Sequence, residues 1–103
     1  MPLVLSLRES QGFAVGGHRV VCTSVGEEQY RPTGAGVRYW CRGLLTLEDT
    51  GVTHSVGTDW VPIGYGVLVR SGLRKRRKGK LLSLQIMSAG SEIHRGEQHE
   101  VEP

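Results

Sequence analysis

Leu3-Val4-Leu5-Ser6-Leu7 near one end of the chain and Leu81-Leu82-Ser83-Leu84-Gln85-Ile86 near the other decide the fold class. In each, leucine or isoleucine recurs at every second position (Leu3, Leu5, Leu7; Leu82, Leu84, Ile86), the period of a strand with one buried face. A helix would return its apolar residues every third or fourth position, and no window of the chain sustains that spacing. Working inward, His18 to Val25 contains Val20-Val21-Cys22-Thr23-Ser24-Val25, a β-branched run that reads as a second long strand. Ser91 to Arg95 reads as a short strand, and Phe13-Ala14-Val15 as a short extended piece before the hairpin pair Gly16-Gly17.

The middle of the chain is less regular. Residues 26–36, GEEQYRPTGAG, read as a loop, because Pro32 and two glycines leave little to build a strand on. Val37 to Leu47 is strand-like, although Leu44 to Asp49 also suits one helical turn. Val52 to Val56 is short and extended. Trp60 to Val69 reads as one strand, bulged or at an edge, interrupted by Pro62, Gly64 and Gly66. Residues 70–80 form a polar connection, and the tail from 98 to 103 reads as frayed. The expectation is a single all-β domain over 1–103, a small sheet or barrel of short antiparallel strands. With 38% apolar residues, it should have one well-covered sheet face rather than a thick sandwich. The aromatic residues Trp40, Trp60, Tyr39 and Tyr65 are expected to fill the core of the middle segment.

The net charge of +3 understates how the charge is distributed. Arg70, Arg74, Lys75, Arg76, Arg77, Lys78 and Lys80 fall in one short stretch, while the last residues carry Glu92, Glu97, Glu100 and Glu102. No acidic residue is interleaved in the basic run. Such a run neutralises phosphates of a polyanion, or it is merely a solvated connection between strands.

Other classes find less support. Cys22 and Cys41 form no CxxC and read as free thiols. His18, His54, His94 and His99 pair with no other ligand at metal spacing, so no metal and no cofactor are expected. No nucleophile elbow, phosphate loop, HExxH or paired-carboxylate motif is present, so no enzyme is expected. The opening MPLVLSLRES lacks the basic start of a signal peptide, and no apolar stretch is long enough to span a membrane as a helix. A cytoplasmic protein is expected, with no membrane partner.

The two ends resemble the carbon storage regulator family of small bacterial RNA-binding proteins. Leu3, Leu5, Arg8, Phe13, Val15 and Gly16 fall into that family's pattern of apolar strand, arginine, turn and hairpin. Leu82, Leu84, Ile86, Ile93, His94, Arg95 and Glu97 match its alternating strand, turn, and strand ending in His-Arg. The matching segments are 1–25 and 80–97, which makes about 26–79 a β-rich insertion. The resemblance implies a homodimer of intertwined strands that binds single-stranded or hairpin-loop RNA and regulates translation. It also implies that Arg8 of one chain sits beside Ile93, His94 and Arg95 of the other. Leu7 stands where the family has a second arginine, which implies weaker specific binding. The expected RNA contacts are thus Arg8, Ile93, His94 and Arg95 through the resemblance, and Arg74, Lys75, Arg76, Arg77, Lys78 and Lys80 through charge. The alternative is a non-enzymatic β-barrel interaction or structural module whose basic loop meets an acidic partner or nucleic acid non-specifically.

Overall fold

A computed structural model describes residues 2–89 and the strand Ile93–His94. It is all-β: β1 (Leu3–Leu7), β2 (Gly12–Val15), β3 (His18–Thr33), β4 (Gly36–Leu47), β5 (Thr53–Val56), β6 (Val61–Gly64), β7 (Val67–Ser71), β8 (Leu82–Ser88) and β9 (Ile93–His94). The strands form a four-stranded sheet, β1-β8-β7-β6, and a five-stranded sheet, β5-β4-β3-β2-β9. All pairings are antiparallel. Among the described residues no helix is long and apolar enough to cross a membrane.

The alternating leucines at the two ends meet directly. Leu3 pairs with Ile86, Leu5 with Leu84 and Leu7 with Leu82, so paired residues point to the same face and enter the core together. Both β1 and β9 find their partners, β8 and β2, within the chain. Facing them across the core are Phe13, Val15, Val20, Cys22, Val25, Cys41, Leu45 and Leu47 of the other sheet. Two sheets therefore cover each other, in place of the single covered face expected from composition. The apolar fraction suffices because valine, leucine and isoleucine are concentrated on the inner faces. Residues 26–79 supply β4 to β7, and Cys41, Leu45, Val56, Ile63, Val67 and Val69 from this stretch join the same buried cluster as Leu5 and Leu84.

Three expectations for the middle segment need correction. Residues 26–36 are not a loop: β3 runs on to Thr33 and pairs with β4 down to Thr33↔Gly36. Two bulges, between Cys22 and Ser24 and between Val25 and Glu28, break the period of β3 and hide it from the pattern. Leu44 to Leu47 is strand, with no helical turn. Trp60 to Val69 is a hairpin rather than one strand. It turns at Tyr65-Gly66, where φ is +57° and +72°. A non-glycine residue at positive φ is unusual, and Tyr65 is held there by its ring. That ring stacks on His18, with centroids 4.1 Å apart and planes within 4°. Asp49 accepts from the Tyr65 hydroxyl and contacts His18 Nδ1, so three turns clasp one another.

At Gly43 the two sheets approach closely. A Cβ there would lie 2.7 Å from Cδ2 of Leu82. Leu84→Ala should cost about 2–5 kcal/mol in urea unfolding, because it opens a cavity between the sheets. Val4→Ala, on the outer face of the same pair of strands, should change stability by less than about 0.5 kcal/mol. Equal losses would refute this inward and outward assignment.

Burial pushes the Cys22 thiol up to about 11 from 9.0; its hydrogen bond to the Ser24 carbonyl only partly opposes this. The native state thus keeps a proton that the unfolded chain releases. The stability this contributes is present below about pH 9 and is lost as pH rises toward 11. Iodoacetamide should leave Cys22 unmodified at neutral pH until the protein unfolds, as read by mass spectrometry. Rapid labelling of the folded protein would contradict this.

Candidate nucleic-acid interface

The basic run lies between β7 and β8, and its path is fixed by backbone contacts. Gly72 N donates to Ser83 O at 2.7 Å, and Arg74 and Tyr39 exchange two backbone hydrogen bonds of 2.7 Å. Gly79 turns the chain back at φ +71°. The side chains then depart from the picture of a uniformly solvated loop. Arg74 keeps 8% of its side-chain exposure and Glu28 keeps 6%, and Arg74 Nη2 lies 3.0 Å from Glu28 Oε2. The same carboxylate oxygen accepts from the backbone N–H of Lys78 at 2.9 Å. Arg77 Nε lies 2.8 Å from Glu28 Oε1, an ion pair off the hydrogen-bond axis. Lys80 pairs with Glu27 at 3.3 Å, both well exposed.

The basic run is therefore relieved of part of its repulsion by two glutamates from β3. The sequence reading missed them because they lie far away in the chain, inside the stretch read as a loop. Arg74 holds the loop down and is not presented to solvent. Its Nε and Nη1 are buried without a hydrogen-bond partner, and Glu28 is its one counter-charge among the described residues.

What the loop does present is Lys75, Arg76 and Lys78. All three are exposed, and none makes an ion pair with a described carboxylate. With Arg74 beneath, they line a shallow depression whose other wall is the outer face of β1 and β8: Val4, Ser6 and Ser83. Arg8 is exposed and lies one residue beyond the Leu7↔Leu82 pair, at the end of β1 where the loop rejoins β8. Ile93 and His94 pair with Val15 and Ala14 in the other sheet, so they share no pairing with the strand that leads to Arg8. Arg95 lies outside the described residues.

A second cationic surface escaped the sequence reading. Trp40 and Arg42 alternate with the buried Cys41 and Gly43, so they stand on the outer face of β4. Arg42 Cζ lies 5.7 Å from the Trp40 ring centroid, and Arg70 Cζ lies 4.4 Å from that of Trp60. Arg31 Nη2 donates to Thr58 Oγ1 at 3.1 Å, and Arg70 Nε to Gln85 Oε1 at 2.7 Å. The aromatic residues expected in the core are instead half-buried at the surface: Trp40, Trp60 and Tyr39 are outside the buried cluster and Tyr65 packs on its edge. The aliphatic residues of both sheets, together with Phe13, fill the interior without them. The available signal was Trp40-x-Arg42, same-face spacing within a strand.

Among the described residues no group of three or more metal-ligating side chains is present. Comparison with protein-family models, curated proteins and solved structures finds no match for the chain.

Glu28→Gln leaves the Arg74 charge buried without a counter-charge, a loss of about 3–5 kcal/mol. The solvated Glu27→Gln should cost less than about 1 kcal/mol. Trypsin should cleave residues 74–80 faster in the Glu28 variant alone. Similar protection in both variants would show that Glu28 does not hold the loop.

Proposed function

We propose that this protein is a non-enzymatic RNA-binding protein, acting in the cytoplasm as a translational regulator, and that the loop between β7 and β8 grips RNA phosphates. The observation that carries this reading is the separation of roles within the basic run. Arg74 and Arg77 are tied to Glu28, and Lys80 to Glu27, whereas the side chains of Lys75, Arg76 and Lys78 make no ion pair with a described carboxylate and stand beside the hydroxyls of Ser6 and Ser83. A loop held by a buried ion pair presents its cations with less ordering cost than a free one. Lysine, arginine and hydroxyl side chains are the usual contacts to phosphate oxygens. The resemblance of the chain ends to the carbon storage regulator family supports the same polyanion and adds Arg8, Ile93, His94 and Arg95 as base-directed contacts in a homodimer.

A second reading has one observation in its favour. Val4, Leu68 and Met87 are exposed on the outer face of the four-stranded sheet, which suits a protein-interaction module.

Replacing Lys75, Arg76 and Lys78 together with Ala should weaken binding to all RNAs alike. It should flatten the slope of log affinity against log salt by about two units, at roughly 0.7 per contact on single strands. Arg8→Ala should cost about 1–3 kcal/mol on a hairpin with a GGA loop and less on its scrambled control. Filter binding at two salt concentrations reads both. An unchanged slope removes the loop from the interface, and no binding of either RNA at low salt leaves the interaction module.

A further inference from the structure

The loop depression does not end at the loop. Its wall residue Ser83 is followed on the same face of β8 by Gln85, which lines a second depression with Arg31, Thr58, Arg70 and Leu73. Arg31 and Thr58 in turn line a third, with Trp40, Arg42 and Asp59. The three hollows thus adjoin through neighbouring or shared residues and make one track over the surface. Its lining cations are Arg74, Lys75, Arg76 and Lys78 at the loop, then Arg70, Arg31 and Arg42, and Asp59 is the one carboxylate among the lining residues. The two ends of the track differ in kind. The loop end mixes lysine with arginine and has no aromatic residue in its lining. The far end holds arginine and tryptophan, planar groups that offer surfaces for stacking.

We infer that the far end, Arg31, Trp40 and Arg42 with Thr58, is a nucleotide subsite for the same single strand whose phosphates the loop holds. This rests on the RNA reading of the loop. Arg31 is oriented by a neutral hydroxyl and Arg42 by an aromatic ring, so neither guanidinium is neutralised. Each retains its charge for a phosphate, and the Trp40–Arg42 pair offers a π face or a guanidinium plane to a base. An acidic peptide could pair with the guanidinium forks but brings no base to stack on the Trp40 face, which favours a nucleic acid as occupant. The outer face of a regular strand sets the spacing of Trp40 and Arg42, so the subsite is present before any ligand arrives.

The test uses oligouridylates of about four and about twelve nucleotides, with anisotropy for affinity and tryptophan quenching for stacking. Arg31→Ala with Arg42→Ala should weaken the longer strand roughly five-fold or more and leave the shorter one, held by the loop, unchanged. Trp40→Phe should abolish most of the quenching while retaining much of the affinity. Arg31→Lys with Arg42→Lys should restore the salt slope but only part of the affinity, because lysine keeps the charge and loses the plane. Urea midpoints of the variants, all altered at exposed or half-buried positions, check that folding is intact. Binding that depends on Lys75, Arg76 and Lys78 but shows neither quenching nor sensitivity to Arg31 and Arg42 overturns the subsite and leaves the loop reading standing. Full rescue by lysine, or equal competition by polyglutamate, reduces the track to charge alone and overturns the subsite. Absence of binding by either strand at low salt overturns both readings.

Discussion

Glu28 belongs to a strand, yet its carboxylate lies buried between that strand and a distant loop, and backbone geometry puts it there. Val25 and Glu28 pair with Gly43 and Cys41, two residues on the inward face of β4. Inward positions on a regular strand are an even number of residues apart, but Val25 and Glu28 are three apart. The bulge between them supplies the odd residue and turns the carboxylate inward. There it meets Arg74, the Lys78 backbone and Arg77. A bulge in one sheet thus fixes the course of a loop that leads into the other. Burying two charges is expensive, and an apolar pair of similar volume would hold the sheets together as well or better. What the ion pair contributes is a defined loop position with the remaining cations turned outward.

This dependence explains what was legible in the sequence. Leu3, Leu5, Leu7 and Leu82, Leu84, Ile86 were readable because β1 and β8 are regular, and each side chain obeys the period of its own strand. Gly16-Gly17 was readable because both residues take positive φ, which glycine permits without cost to a side chain. Residues 26–36 were not readable, because β3 is held there by its pairing with β4 rather than by its own pattern. Two bulges shift its phase, and the inward position in the middle is a glutamate. Tyr65-Gly66 failed for a different reason. Tyrosine is a poor residue at positive φ, and what keeps it there is a ring stack with His18, a residue remote in sequence.

The candidate site divides along the same line. The basic run is local in sequence and could be seen; the sorting of its members could not, because Glu27 and Glu28 come from another strand. Arg31, Arg42 and Arg70 were invisible as a group. They come from three strands, and each is separated from the next by many residues. A sequence reading of charge finds runs, whereas a sheet assembles a charged surface from single residues on alternating positions.

The placement of the carboxylates matters more to the surface potential than the net charge does. Glu48 and Asp49 are engaged with Arg19 and His18 at the far end of the β3–β4 pairing, Glu28 lies buried beneath the loop, and the exposed Glu27 pairs with Lys80. Along the track the arginines are oriented by groups without charge: Thr58 for Arg31, Gln85 for Arg70, and the rings of Trp40 and Trp60. A carboxylate in any of these positions would fix the guanidinium equally well but cancel its field. A hydroxyl, an amide or an aromatic face holds the geometry and leaves the charge available. The fold therefore separates cations used for its own cohesion from cations whose charge is left uncancelled at the surface, through the identity of each partner rather than through the number of basic residues.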